Sequence, residues 1–201
     1  YVVAPEIPAD YVTFTGHKFH APAGVGVVYS REGWDTFAPL VQGGSQEFGA
    51  RGGTHNLLGI AALGAAARIR NSTLGEATER MRQLRIMFEG DVLSNVDFAS
   101  VNGSAERVCN TVNLLFEDID GKALFAQLQD AGIECSQSSA CTAQYPEPSK
   151  VLRAMGLDYH QAFSSIRFSF SVLNDENDVK EAARIVSEKA HQIRSVLGGV
   201  W

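Results

Sequence analysis

The stretch Ser165–Ser171, SIRFSFS, alternates strictly. Ile166, Phe168 and Phe170 fall on one face of an extended chain, and Arg167 and Ser169 on the other. Such a strand must lie with its apolar face on a core and its polar face open, so the chain needs helices or a second sheet to cover one side. Asn174 predicts the cap of a long helix from Asp175 to about Leu197, acidic at its start and carrying Lys189 and Arg194 later, the sense the helix dipole favours.

Upstream, strand and helix signals alternate. Val25–Tyr29 (VGVVY) reads as a strand. Val41–Thr54 holds five glycines in fourteen residues without a period and reads as a loop, long enough to be functional. From His55 a small-residue helix follows. Ser72-Thr73 predicts the N-cap of a second helix, Leu74 to about Val92, whose charged face is solvated. Val108–Phe116 reads as a strand, and Gly121–Ala131 as a helix closed by Gly132. Ile133–Ser136 reads as a short strand, and Pro148-Ser149 opens a helix through Met155 closed by Gly156. The alternation predicts an α/β or α+β architecture, with a boundary near residue 73.

With 45% hydrophobic residues the chain can build a core, and its net charge of −6 gives no reason to expect nucleic acid or an anionic membrane as a partner. No apolar run is long enough to span a bilayer, and YVVAPEIPAD lacks the marks of a signal peptide. Cys109, Cys135 and Cys141 are too few and too odd for a disulfide framework, which points to a reducing, cytoplasmic or organellar setting.

Three residues stand out chemically. Lys18, in TFTGHKFHAPAGVGVVY, sits among Thr13, Thr15 and His17 before a turn stiffened by Pro22 and Gly24. It reads either as a surface lysine or as an amine held to form a Schiff base with an aldehyde. Cys141, in SQSSACTAQYP, has the small polar flanks of an accessible loop and is a candidate nucleophile. Cys109 and Cys135 read as packing residues. Arg167 reads as a structural ion-pair partner or as a clamp on a small carboxylate. Neither His17 with His20 nor Cys135 and Cys141 with His160 matches a common zinc spacing, so no metal is expected.

Four ordered motifs carry a resemblance: Thr15-Gly16-His17-Lys18 followed by Ala21-Pro22-Ala23-Gly24-Val25-Gly26; Gly43-Gly44-Ser45-Gln46-Glu47 with Arg51-Gly52-Gly53-Thr54; Gln137-Ser138-Ser139-Ala140-Cys141 with Glu147-Pro148-Ser149; and Ser164-Ser165-Ile166-Arg167-Phe168-Ser169. Together they resemble the NifS-like cysteine desulfurases of the class V aminotransferase family, pyridoxal 5′-phosphate (PLP) enzymes of fold type I. Thr15, Ala23 and Ser45 depart from the residues most frequent there, without removing an assigned group.

The resemblance implies that residues 1–73 belong to the C-terminal part of the PLP-binding large domain. Residues 74–201 would form the small C-terminal domain carrying the cysteine loop. It implies that Lys18 bonds PLP and moves the substrate's Cα proton, that Thr15 and His17 bind its phosphate, and that Thr54 reaches the phosphate of the other subunit of a homodimer. Arg167 would bind the carboxylate of L-cysteine. Cys141 would take its sulfur as a persulfide, release alanine, and pass the sulfur to an acceptor such as an iron–sulfur scaffold. Selenocysteine lyase, another class V aminotransferase, or a non-catalytic dimerisation or acceptor-docking module are the alternatives. The family's remaining cofactor residues precede this stretch in its order. The chain is therefore expected to correspond to the C-terminal half of such an enzyme, and alone to bind PLP weakly with little or no desulfurase activity.

Overall fold

The computed structural model describes residues 6–34, 38–104, 106–137 and 147–197. The chain forms two compact units, Tyr1–Leu74 and Gly75–Trp201.

In the first unit β1 (Tyr11–Thr15) pairs antiparallel with β2 (Gly26–Ser30), in a register that sets Tyr11 opposite Ser30 and Thr15 opposite Gly26. β1 is an addition to the sequence reading. Its YVTFT alternates threonine with aromatic and β-branched residues, a sound strand composition that its closeness to the lysine motif obscured. A 3-10 turn, Gly16–Phe19, leaves β1 directly and ends at His20 in the left-handed region (φ 73°). The glycine-rich segment contains a second 3-10 turn at Glu47–Gly49, bracketed by a bridge between Gln46 and Arg51.

Helix α1 (Leu57–Asn95) corrects the expectation of two helices. Asn56 opens it, its Oδ1 accepting from the Gly59 N–H at 3.0 Å. Ser72 and Thr73 start no new helix. Both hydroxyls donate back to the Ile69 carbonyl, at 2.9 and 3.0 Å, as mid-helix Ser and Thr do.

In the second unit β3 (Ala99–Val101), β4 (Thr111–Phe116) and β5 (Ser165–Ser169) form an antiparallel sheet in the order β3-β4-β5. Helices α2 (Gly121–Asp130), α3 (Lys150–Ala154), α4 (Tyr159–Phe163) and α5 (Glu176–Leu197) complete it. The alternation in β5 does what its pattern requires: Ile166, Phe168 and, just beyond the strand, Phe170 are buried, while Arg167 is exposed. They join Phe88 and Val92 of α1, Val96 just after it, Leu114 and Phe116 of β4, Leu124 and Leu128 of α2, and Val186 and Ala190 of α5 in one core. Phe88 lies 4.8 Å from the Phe168 ring and 5.4 Å from that of Phe170.

Three expectations are corrected here. Ile133–Ser136 is not a strand; only Ser136 bridges, to Arg167. The strand expected from Val108 begins at Thr111. Asn174 does not cap α5. Asp175 does, accepting from the N–H groups of Asn177 and Asp178 at 2.8 and 2.9 Å, while Asn174 Oδ1 accepts from Ser171 N–H in the preceding turn. α4 is a further addition, opened by a capping box between Asp158 and Gln161. Among the described residues no helix is long and apolar enough to cross a membrane.

Gly121 yields a test of the second unit's packing. A Cβ there would strike the Phe163 carbonyl oxygen and come within 2.7 Å of Ser164 Cα, both backbone atoms. Gly→Ala in a helix ordinarily gains stability, but Gly121→Ala is expected to lose about 1–3 kcal/mol, read as a lowered urea midpoint.

Candidate functional site

Lys18 is exposed on the 3-10 turn that follows β1, and no carboxylate pairs with it among the described residues. The residues just before it are joined to each other. Thr15 Oγ1 lies 2.9 Å from His17 Nδ1, so the hydroxyl and the imidazole are joined immediately before the amine. The buried Gly16 between them has no space for a side chain: a Cβ would stand 2.7 Å from Leu63 Cδ1 and 2.8 Å from Ala21 Cβ. The turn is closed by N–H groups of His20 and Ala21, both donating to the Gly16 carbonyl. Hydroxyl, imidazole and ammonium thus share one short turn. Such a donor set suits an anion bearing several oxygens, beside an amine able to condense with a carbonyl.

Thr54 is exposed in the same unit, two residues before the cap of α1. The loop leading to it crosses itself closely. Gly52 N–H donates to the Val41 carbonyl at 2.6 Å, and a Cβ on Gly52 would meet Gln42 backbone atoms at 2.7 and 2.8 Å. His55 Nε2 bonds Glu47 Oε1 at 3.0 Å, tying the far end of the loop to its middle. That loop and β2 line a cleft of about 450 Å³ that includes Gly24, Arg51, His55 and Asn56.

Arg167 belongs to the second unit. Its N–H and carbonyl both pair with Ser136, at 2.7 and 3.0 Å, so its backbone faces away from β4. Its guanidinium has no acidic partner among the described residues, which removes the ion-pair reading there. Two clefts of this unit, about 780 and 740 Å³, do not include it.

Cys141 lies outside the described residues. Cys135 is half-buried, and burial, aided by the Glu134 carboxylate, pushes its thiol up to about 12, so it stays protonated at any ordinary pH. Cys109 is half-buried also, and its carbonyl accepts from Arg85 Nε at 3.1 Å. Both are free thiols, and Cys135 packs against the core of its unit. No cluster of potential metal ligands occurs among the described residues.

The structure therefore brings Thr15, His17 and Lys18 together on one turn, with Thr54 in the same unit and Arg167 in the other. Asn102 and Asn113, which the sequence reading passed over, lie with Arg167 on the face of the sheet turned from the core, and the signal available was the alternation Thr111, Asn113 within β4.

Residues 3–181 match the family described as Aminotransferase class-V. The chain belongs to that family. It is 44% identical over 171 residues to a cysteine desulfurase of Gluconacetobacter diazotrophicus, covering 85% of this chain and 42% of that protein. It is 40% identical over 186 residues to the cysteine desulfurase NifS of Azotobacter vinelandii, covering 92% and 46%. Among solved structures it resembles a NifS-like protein with a TM-score of 0.79 at 33% identity, over 91% of this chain and 47% of that one. The α/β fold is thus that of NifS-like proteins, as the four motifs implied. The chain spans about half the length of the curated relatives it matches.

Proposed function

We propose that this chain is part of a PLP-dependent cysteine desulfurase. Residues 1–73 would supply the C-terminal portion of the cofactor-binding domain and residues 74–201 the small domain. The observation that carries the proposal is the turn at Lys18, where a joined hydroxyl and imidazole stand directly before an exposed amine that has no ion-pair partner among the described residues.

That donor set fits a phosphorylated aldehyde. Thr15 and His17 would hold the phosphate, Thr54 would serve the phosphate of a second copy, and Lys18 would bond the aldehyde and carry the Cα proton. Bound there, PLP supplies an electron sink for a Cα carbanion. Arg167 would orient the substrate by its carboxylate. The Cys141 thiolate would attack the sulfur of L-cysteine. The C–S bond breaks, the sulfur stays on Cys141 as a persulfide, and the carbon takes a proton to leave alanine.

Exposure of apolar side chains in the first unit supports a homodimer and further packing: Leu40 is 98% exposed, Phe48 88% and Leu58 86%. A two-stranded ribbon such as β1-β2 is also marginal unless packed on more structure. A sulfur-acceptor or iron–sulfur scaffold protein is the proposed recipient, and the cytoplasm the proposed setting.

The test uses the complete polypeptide that contains this chain. It should be yellow when purified with PLP, bleach with borohydride, and release alanine from L-cysteine in step with persulfide or sulfide. A colourless protein that releases no alanine would reduce the chain to a dimerisation or docking module.

A further inference from the structure

The register of β4 and β5 puts Asn113 directly opposite Arg167. Because the N–H and carbonyl of Arg167 are both spent on Ser136, at the outer side of β5, the Asn113–Arg167 pair exchanges no backbone hydrogen bonds. The Asn113 carbonyl in turn accepts from Asn102 N–H, on the β3 side. In antiparallel sheets such non-bonded pairs are the close ones, with Cα atoms about 4.5 Å apart and side chains adjacent on one face. That face is the one turned away from the core, since the neighbouring pairs Leu114–Ile166 and Val112–Phe168 are buried.

The orientation of the Asn113 amide is set by a chain of hydrogen bonds. The buried Ser165 donates its hydroxyl proton to the Gln161 carbonyl at 2.7 Å, which leaves its oxygen as an acceptor. Asn102 Nδ2 donates to that oxygen at 2.9 Å and to Asn113 Oδ1 at 2.6 Å. The amide oxygen of Asn113 is therefore drawn toward Asn102, and its NH₂ is left without a partner among the described residues. Opposite it in register is Arg167, whose guanidinium also only donates. Two donor residues paired in register, with no acceptor for either group among the described residues, are a poor arrangement for an empty surface and a good one for a carboxylate.

We infer that Asn113 is a second binding residue for the substrate α-carboxylate, its amide NH₂ donating to one oxygen beside Arg167, with Asn102 and Ser165 as positioning residues that fix the amide's sense. This rests on the assignment of Arg167 to the substrate carboxylate. It adds a direction to that assignment: a guanidinium alone tolerates several tilts of the carboxylate, whereas a fixed third donor selects one and thereby aims the rest of the amino acid.

The test compares Asn113→Ala, Asn102→Ala and Arg167→Ala in the complete polypeptide. It reads kcat and KM for L-cysteine, and inhibition by L-alanine and by ethylamine, which is alanine without its carboxylate. Asn113→Ala should raise KM and the alanine inhibition constant about 10-fold, the scale of a hydrogen bond to a charged group, with kcat within about 2-fold and ethylamine inhibition unchanged. Asn102→Ala, which leaves Asn113 in place but frees its amide to rotate, should shift the same two constants about 3-fold. A merely structural role would move ethylamine along with alanine. If Arg167→Ala raises KM steeply while Asn113→Ala leaves it unchanged, the role of Asn113 is overturned and that of Arg167 stands. If neither moves KM, the carboxylate site itself is misplaced. Should Asn113→Ala fail to fold, Asn102→Ala decides, and an unaltered alanine-to-ethylamine ratio there overturns the proposal.

Discussion

Lys18→Ala in the complete polypeptide is expected to give a colourless protein that borohydride does not label, with alanine release from L-cysteine lowered on the order of 10,000-fold, the upper range for loss of a positioned acid–base group. The effect should be large because, in the function proposed above, one amine would serve two steps, bonding the aldehyde and carrying the Cα proton. Thr15 and His17 remain joined in the variant, and the Gly16 contacts that shape the turn do not involve the Lys18 side chain. PLP should therefore still associate, reversibly, and be removable by dialysis. Absorbance in the visible, peptide mass after reduction and alanine yield are the measurements. A reduced cofactor adduct on any peptide other than the one containing residue 18 would discard the assignment.

The same turn shows what sequence pattern reveals and what it hides. The position of Lys18 among hydroxyl and imidazole side chains was legible, because residue types and spacing survive in one dimension. The direct bond between Thr15 and His17 was not, since it depends on the 3-10 geometry of the turn rather than on a period. Likewise β5 was legible from its alternation, whereas the pairing that places Asn113 opposite Arg167 is a matter of register between distant segments. Local chemistry misled where one residue type serves two ends. Ser72-Thr73 carries the composition of an N-cap, but its hydroxyls turn back to Ile69 inside an unbroken helix. Asn174 and Asp175 are both cap-competent, and the choice of Asp175 follows from Asn174 being engaged by the Ser171 turn. The three-residue β3 lacked enough length to show a pattern at all; β4 supplies its pairing.

The cysteines allow the sharpest division of roles, and with it the second large effect. Cys141→Ser is expected to keep the yellow colour and the response of absorbance to L-cysteine, yet to lower persulfide formation by about 1,000-fold or more, because a hydroxyl cannot replace a thiolate as a nucleophile toward sulfur. The other thiols are poor substitutes on physical grounds. Cys135, held near 12 by burial, presents only about one thiolate in 10,000 at pH 8, and it packs against the core of its unit. Cys135→Ser should consequently leave sulfur transfer within about 2-fold, and alkylation by iodoacetamide at pH 8 should mark the Cys141 peptide long before that of Cys135. Mass spectrometry of the L-cysteine-treated protein, digested without reductant, reads the outcome directly. Sulfane sulfur found on Cys135, or undiminished sulfur transfer in Cys141→Ser, would require a nucleophile other than Cys141. Sulfur confined to the Cys141 peptide and lost in the serine variant would tie the chemistry to that thiol, and with it the sulfur-donating role of the chain.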